Sequence, residues 1–204
     1  MKTILVATTN PGKLKELGEM LDMDAEFKSL ADYPDIPEVE EDADTFEANA
    51  TRKALEYARA TGLWTIADDS GLVIDALDGG PGVHSARFSG EKAEDKTLID
   101  HKNIEKVLEL LEGVPTEKRT ARFVCSICLA SPEKVLIQTE GTVEGTITER
   151  ERGEGGFGYD PIFLIKGPNK TAAELGAEAK NKISHRGNAI GKLKPALKQL
   201  LDQS

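Results

Sequence analysis

The sequence predicts an α/β protein: a mixed β-sheet with flanking helices, in two lobes with an active-site cleft between them. Three observations carry this. Short apolar runs of strand length alternate with stretches of helical period. The middle runs follow one another across turns too short for a crossover helix, so some neighbours must be antiparallel. The 204 residues suffice for one large domain, and no Gly/Ser-rich linker divides them, so residues 1–204 read as a single domain.

In chain order, residues 3–9 form a first strand. Residues 11–22 form a helix with Leu14, Leu17 and Leu21 on one face. Asn10 is its N-cap and Pro11 its first residue, where a missing N–H costs nothing. Residues 31–43 are an acidic, Pro-bearing loop. A second helix spans residues 45–61, with Asp44 and Glu47 as an Asp version of the capping box and Gly62 as its stop. "LWTIADD" reads as a strand and "GLVIDAL" as another. "DGGPGVHS" reads as a turn. Residues 93–112 form a third helix with Leu98, Ile104, Val107, Leu108 and Leu111 as its apolar face. Strands follow near 120–130, 134–139 and 142–148. After the Gly-rich loop "ERGEGGFGYDP" comes the strand "IFLI". Helices near 171–180 and 188–202 close the chain, and Pro195 turns or kinks the last.

The composition excludes several classes of function. A net charge of −10 repels polyanions, so DNA and RNA polymers are not expected partners. A small phosphate ligand needs only a local cluster of cations and is allowed. No apolar run spans a bilayer. The N-terminus lacks a cleavage site and reads as a strand, so the expected compartment is the cytoplasm. Cys125 and Cys128 stand in a C-x-x-C spacing but on a strand, where residues three apart face opposite ways. A zinc site would also need a second ligand pair. They read as buried core thiols.

Four regions hold polar residues that a bland loop does not need. In "ATTNPGK", Thr8, Thr9 and Asn10 precede a helix N-terminus, whose amides and dipole favour an anion. Lys13 opposes that dipole, and a bound phosphate would reverse the cost. Capping alone also explains Asn10. In "EVEEDADTFEANATRKAL", Glu38, Glu40, Glu41, Asp42 and Asp44 crowd one loop, either as a solvated acidic face or as carboxylates for a hard cation. Asn49 and Lys53 then share a helix face. In "IADDSGL", Asp68 and Asp69 end an apolar strand and must diverge. One can face a cleft while the other accepts hydrogen bonds from nearby backbone. Burial without partners is costly, so a metal, a lysine or a base role is expected there. Finally, "GEGGFGYDP" flanks Phe157 with glycines, suited either to stacking on a flat ligand or to a flexible hairpin with Phe157 tucked into the core. "AKNKISHRGNA" carries Lys180, Lys182, His185 and Arg186.

These segments, with "GGPGVHSARFSG" and "KTAAEL", occur in the order found in the inosine/xanthosine triphosphate pyrophosphatases. The chain resembles that family over nearly its whole length. The resemblance implies Mg²⁺-dependent hydrolysis of ITP, dITP and XTP to the monophosphate and pyrophosphate, an elongated fold, and a homodimer. It implies that Thr8, Thr9, Asn10, Pro11, Gly12 and Lys13 bind the phosphates with Lys53 near them. Asp69 would be the general base and lie near the metal. Glu41, with Glu40 as its competitor, would serve the magnesium. Ser70, Phe157, Gly158, Tyr159, Asp160, Lys180, His185 and Arg186 would hold the nucleotide.

One position departs from the pattern. Relatives commonly carry Glu just before the Asn of "TFxENA", and here it is Ala48. Glu47 points about 100° away on a helix and reads as a cap residue. The departure leaves a second reading, a non-catalytic purine-nucleotide-binding or sensing module on the same scaffold. For base selection, donors from His185, Arg186 or backbone amides would donate to the six-position carbonyl of hypoxanthine or xanthine and leave adenine's amino group facing donors.

Overall fold

The computed structural model describes residues 1–21 and 23–203. The sheet has six strands: β1 (Thr3–Val6), β2 (Glu26–Ser29), β3 (Trp64–Ile74), β4 (Thr120–Ala130), β5 (Val135–Ile147) and β6 (Phe163–Ile165). Their order is β2-β1-β3-β4-β5-β6. β1 runs parallel to β2 and β3, whereas β5 and β6 are antiparallel. The expected mixed α/β class is what the chain adopts. Among the described residues five α-helices accompany the sheet: α1 (Pro11–Met20), α2 (Phe46–Thr61), α3 (Lys96–Leu110), α4 (Ala177–Ile183) and α5 (His185–Asp202).

The chain forms two compact units. The first holds Met1–Asp69, Cys125–Gly141 and Arg186–Ser204, and the second Ser70–Val124 and Thr142–His185. The first unit has two apolar clusters. One joins Ile4, Val6, Leu17, Leu21, Ile66, Cys125, Ile127 and Leu129 to the α5 residues Ala189, Ile190, Leu193 and Leu197. The other joins Leu5, Ala7, Ala67, Cys128 and Ala130 to Ala50, Ala54 and Tyr57 of α2. Cys125 and Cys128 therefore do sit on opposite faces of β4, both buried and both reduced. The second unit packs Leu72, Ile74, Phe123, Ile147, Ile162 and Phe163 against Ile104, Val107 and Leu111.

Several expectations needed correction. "EFKS" is a strand, β2, although it lacks an alternating pattern. Pairing with β1 supplies what its propensity does not. β3 runs unbroken through Gly71 instead of splitting in two. β5 likewise passes Gly141. At Gly145 on β5 a side chain has no room, because a Cβ would meet Leu164 O at 2.5 Å and the Phe163 ring at 2.6 Å. The cap of α2 is Thr45, whose side chain accepts from Ala48 N, not the Asp44–Glu47 pair. Gly62 does end that helix, with φ 73°. α3 starts at Lys96, after Asp95 as cap, and Leu98 on it is exposed. The expected helix at 171–180 is a short turn at Ala172–Glu174 followed by α4. α5 starts at His185 and continues through Pro195. α1 ends at Met20, and residue 22, the expected helix end, lies outside the described residues. No helix among the described residues is long and apolar enough to cross a membrane.

Candidate active site

The first unit gathers charge beyond the end of β1 and midway along β3, where Asp68 and Asp69 lie within the strand and not at its end as expected. Asn10 caps α1 as expected. Its Oδ1 accepts from Gly12 N at 3.0 Å and Lys13 N at 3.3 Å, and Thr8 Oγ1 accepts from Asn10 N at 3.2 Å. Pro11 has no N–H, and Leu14 N already bonds Asn10 O. The amides of the first turn are therefore engaged. The donors this segment presents are the Thr8 and Thr9 hydroxyls and the Lys13 ammonium.

Lys13 reaches inward. Its Nζ lies 3.0 Å from Asp68 Oδ2. The same oxygen is 3.3 Å from Arg186, whose other nitrogen pairs with Glu16. Glu16, Asp68 and Arg186 are all buried. Burial pushes the Asp68 carboxyl up, but Lys13, Arg186 and Lys53 outweigh it and hold it well below the carboxylate range. Burial likewise disfavours charge on Arg186, and Asp68 and Glu16 more than restore it. A lysine partner was among the expectations for this pair, and Asp68 has one in Lys13, because a buried carboxylate gains much from full opposite charges.

Asp69 points the other way, as strand geometry demands. Asn49 Nδ2 donates to its Oδ2 at 3.0 Å. The Asn49 amide is itself fixed, since its Oδ1 accepts from Ala43 N at 3.0 Å. Lys53, one turn along α2, donates to Asp68 O at 2.7 Å and to Glu41 Oε1 at 2.9 Å. Burial works against the Lys53 charge, but Asp68, Glu41 and Asp69 raise its pKa overall. Asp69 is raised, first by burial and further by Glu41, against the pull of Lys53 and Lys13. The acidic loop is held by Tyr57 OH, which accepts from Val39 N at 3.1 Å. This brings Glu41 to Lys53 and leaves Glu40 exposed.

The residues suit a hard cation of a particular kind. Glu41 is a carboxylate near enough to Asp69 to help raise it. Among the described residues no three acidic, His or Cys side chains form a metal cage. Two carboxylates completed by substrate phosphates and water is the mode Mg²⁺ prefers. Glu47, next to Ala48, is exposed and takes no part.

In the second unit, the loop carrying Phe157–Asp160 is tied at several points. Lys180 Nζ lies 2.6 Å from Asp160 Oδ2 and 4.8 Å from the Phe157 ring centroid. Asp160 Oδ2 also accepts from Phe157 N at 3.0 Å. Gly156 is obligatory here: its φ is 76°, and a Cβ would stand 2.0 Å from Asp160 Oδ2. Gly158 N donates to Asp100 Oδ2 at 2.9 Å, and Tyr159 OH to Ser85 O at 2.8 Å. His185 is buried with its ring stacked on Phe123, 4.8 Å between centroids and 14° from parallel. Ser70 is half-buried on β3.

One sequence expectation shifts. Arg186, expected at the base, has its guanidinium on Glu16 and Asp68 in the first unit. The amides of Phe157 and Gly158 donate within their own unit, to Asp160 and Asp100. The sequence reading missed Glu16, Asp68 as the holder of Lys13, Asn49 as the partner of Asp69, and Asp100. Glu16 left no trace in the spacing, since it points about 100° away from Leu17, and its burial follows from the distant Arg186.

This α/β sheet sets buried carboxylates, midway along β3, beside lysines of α1 and α2 and so concentrates opposite charges in one place. The chain belongs to the Ham1 family, whose profile matches residues 4–196. It is 52% identical to the dITP/XTP pyrophosphatase of Geobacter sulfurreducens, over 97% of both chains. It is 50% identical to the dITP/XTP pyrophosphatase of Bacillus subtilis, over 97% of this chain and 98% of that one. Among solved structures, a HAM1 protein from Coxiella burnetii superposes with a TM-score of 0.87 at 41% identity, covering 98% of this chain and all of the other.

Proposed function

We propose that this protein hydrolyses the non-canonical purine nucleoside triphosphates ITP, dITP and XTP to the monophosphate and pyrophosphate, removing them from the nucleotide pool. The Asp69–Lys53–Glu41 group carries the reading: a raised carboxylate, a buried ammonium and a second carboxylate within one cluster. The names of relatives about half identical over nearly the full chain support the substrate class.

In this reading Lys13, Lys53 and the Thr8 and Thr9 hydroxyls take the phosphate chain, at the end of α1 that Asn10, Pro11 and Gly12 shape. Water attacks the α-phosphorus. Asp69 orients that water and accepts its proton, which its raised pKa favours. The bond to the bridging oxygen breaks and pyrophosphate leaves with the electron pair. Lys13 and Lys53 balance the charge that grows on the leaving group. Asp68 stays anionic throughout and holds Lys13, with Arg186 and Glu16 behind it. Glu41 and Asp69 would hold the Mg²⁺. When bound it would supply charge neutralisation on the phosphate oxygens.

The second unit's Ser70, Phe157, Gly158, Tyr159, Asp160, Lys180 and His185 are assigned to the nucleoside end. Phe157 offers a ring face, and Lys180 and His185 the polar groups. The homodimer and the cytoplasmic location belong to the same proposal.

The test is a panel of nucleoside triphosphates with Mg²⁺ and product identification. Pyrophosphate from ITP, dITP and XTP, with little turnover of ATP, is expected. Orthophosphate as the product, preference for ATP, or ITP binding without turnover would overturn the reading.

A further inference from the structure

α3 presents two polar side chains one turn apart, and each grips a different loop of the second unit. Asp100 Oδ2 accepts from Gly158 N at 2.9 Å, and its Oδ1 lies 3.3 Å from Lys96. Asn103 Oδ1 accepts from Ser89 N at 2.7 Å, and its Nδ2 donates to Ser85 O and Ala86 O, each at 3.3 Å. Tyr159 OH donates to the same Ser85 carbonyl. The loops at 85–89 and 157–160 are thus fastened to one helix face and to each other.

Of these ties, the one at Asp100 acts on the segment assigned to the base. Gly158 has φ 59°, a left-handed conformation that turns its amide away from the ordinary chain direction. A charged acceptor on a rigid helix holds it there, and a charge-assisted bond is about twice as strong as a neutral one. Phe157 precedes that amide, and Asp160 with its Lys180 partner follows two residues later. Moving Gly158 N moves both.

We propose that Asp100 is a positioning residue for nucleobase binding: through Gly158 N–H it sets the Phe157 ring and the Asp160–Lys180 pair against the purine. This rests on the reading of Phe157–Asp160 as the base-binding loop. The helix supplies the rigidity, since Ile104 and Val107 on it are buried in the second unit's core. An acceptor oxygen at the Asp100 position is what the function requires, and its charge adds strength.

The test compares Asp100→Ala, Asp100→Asn and Phe157→Ala with the unaltered protein. It measures KM and kcat for dITP, inhibition by inorganic tripolyphosphate, and hydrogen exchange at the Gly158 amide. Asp100→Ala is expected to raise KM about tenfold, as loss of a bond to a charged partner implies. kcat should change by less than about threefold, tripolyphosphate inhibition should hold, and the Gly158 amide should exchange faster. Asp100→Asn keeps an acceptor oxygen and should restore most of the affinity. An unchanged KM, a loss confined to kcat, or tripolyphosphate inhibition weakened in parallel overturns the proposal. So does an Asparagine variant as impaired as the Alanine one. Should Asp100→Ala not fold, Asp100→Ser, too short to reach Gly158, takes its place. If Phe157→Ala binds dITP normally, the base-loop reading fails instead, whatever Asp100 does.

Discussion

Lys13 and Arg186 share one oxygen of Asp68, at 3.0 and 3.3 Å. Two cations on one buried carboxylate oxygen fix a lysine that would otherwise extend into water from the first turn of α1. Asp68→Asn keeps the shape and removes the charge. Breaking a buried ion pair from one side costs about 3–5 kcal/mol, so a lower urea midpoint is expected together with a large fall in kcat/KM. Full activity in the variant would show that Lys13 needs no such anchor.

Asp69→Asn should separate in the opposite way. The raised pKa of Asp69 means that its charged form is disfavoured in the fold, first by burial. A neutral amide of the same shape therefore leaves the melting temperature equal or higher. The rate should fall by about 10²–10⁴, the usual contribution of a positioned base, while dITP binding survives. Comparable turnover by the variant would remove Asp69 from the base role.

The two neighbouring glutamates differ in place, and this gives a third expectation. Glu41 meets Lys53, whereas Glu40 is exposed. Glu41→Ala should raise the Mg²⁺ concentration needed for half-maximal rate by about tenfold, a typical cost for one of few carboxylate ligands. Glu40→Ala should shift it by less than about twofold, as surface substitutions do. The reverse pattern would transfer the metal to Glu40.

Much of this was legible because the rules involved are local. The period-2 rule alone separated Asp68 from Asp69 and Cys125 from Cys128. Asn10 and Gly62 followed from helix-end chemistry. What stayed hidden depends on partners distant in the chain. β2 forms because β1 is beside it, β3 runs through Gly71 because its ladder overrides the turn signal, and Arg186 meets Glu16 from 170 positions away. Spacing could place Lys53 and Asn49 on one face, but not say that Asp69 waits opposite them. That Glu41 meets Lys53 while Glu40 is exposed goes with the tie from Val39 to Tyr57, which spacing could not show.

Gly156 offers a test of the loop that needs no charge change. Its left-handed φ costs a non-glycine residue about 1–2 kcal/mol, and an added Cβ would overlap Asp160 Oδ2. Gly156→Ala must therefore push Asp160 off Lys180 or unwind the loop. KM for dITP should rise at least about tenfold if either happens, the equivalent of about 1.4 kcal/mol. A variant with unaltered KM would mean that the Asp160–Lys180 pair is not needed for the nucleotide.

The cysteines yield the pH dependence. Burial pushes the Cys125 thiol up to about 12 and the Cys128 thiol up to about 11, against about 8.5 in an unfolded chain. Both folded values exceed the unfolded one, so the unfolded state gives up protons first. The thiols leave stability untouched below about pH 8.5. Above it each removes about 1.4 kcal/mol per pH unit until its own folded value is reached. The urea midpoint should fall between pH 9 and 11, and in a Cys125→Ala/Cys128→Ala double variant that fall should be shallower, whatever the cavity cost at neutral pH. At pH 8 the native protein should resist a thiol reagent that labels both residues in denaturant. Rapid labelling of the native protein at pH 8 would mean that one of the two faces of β4 opens to solvent.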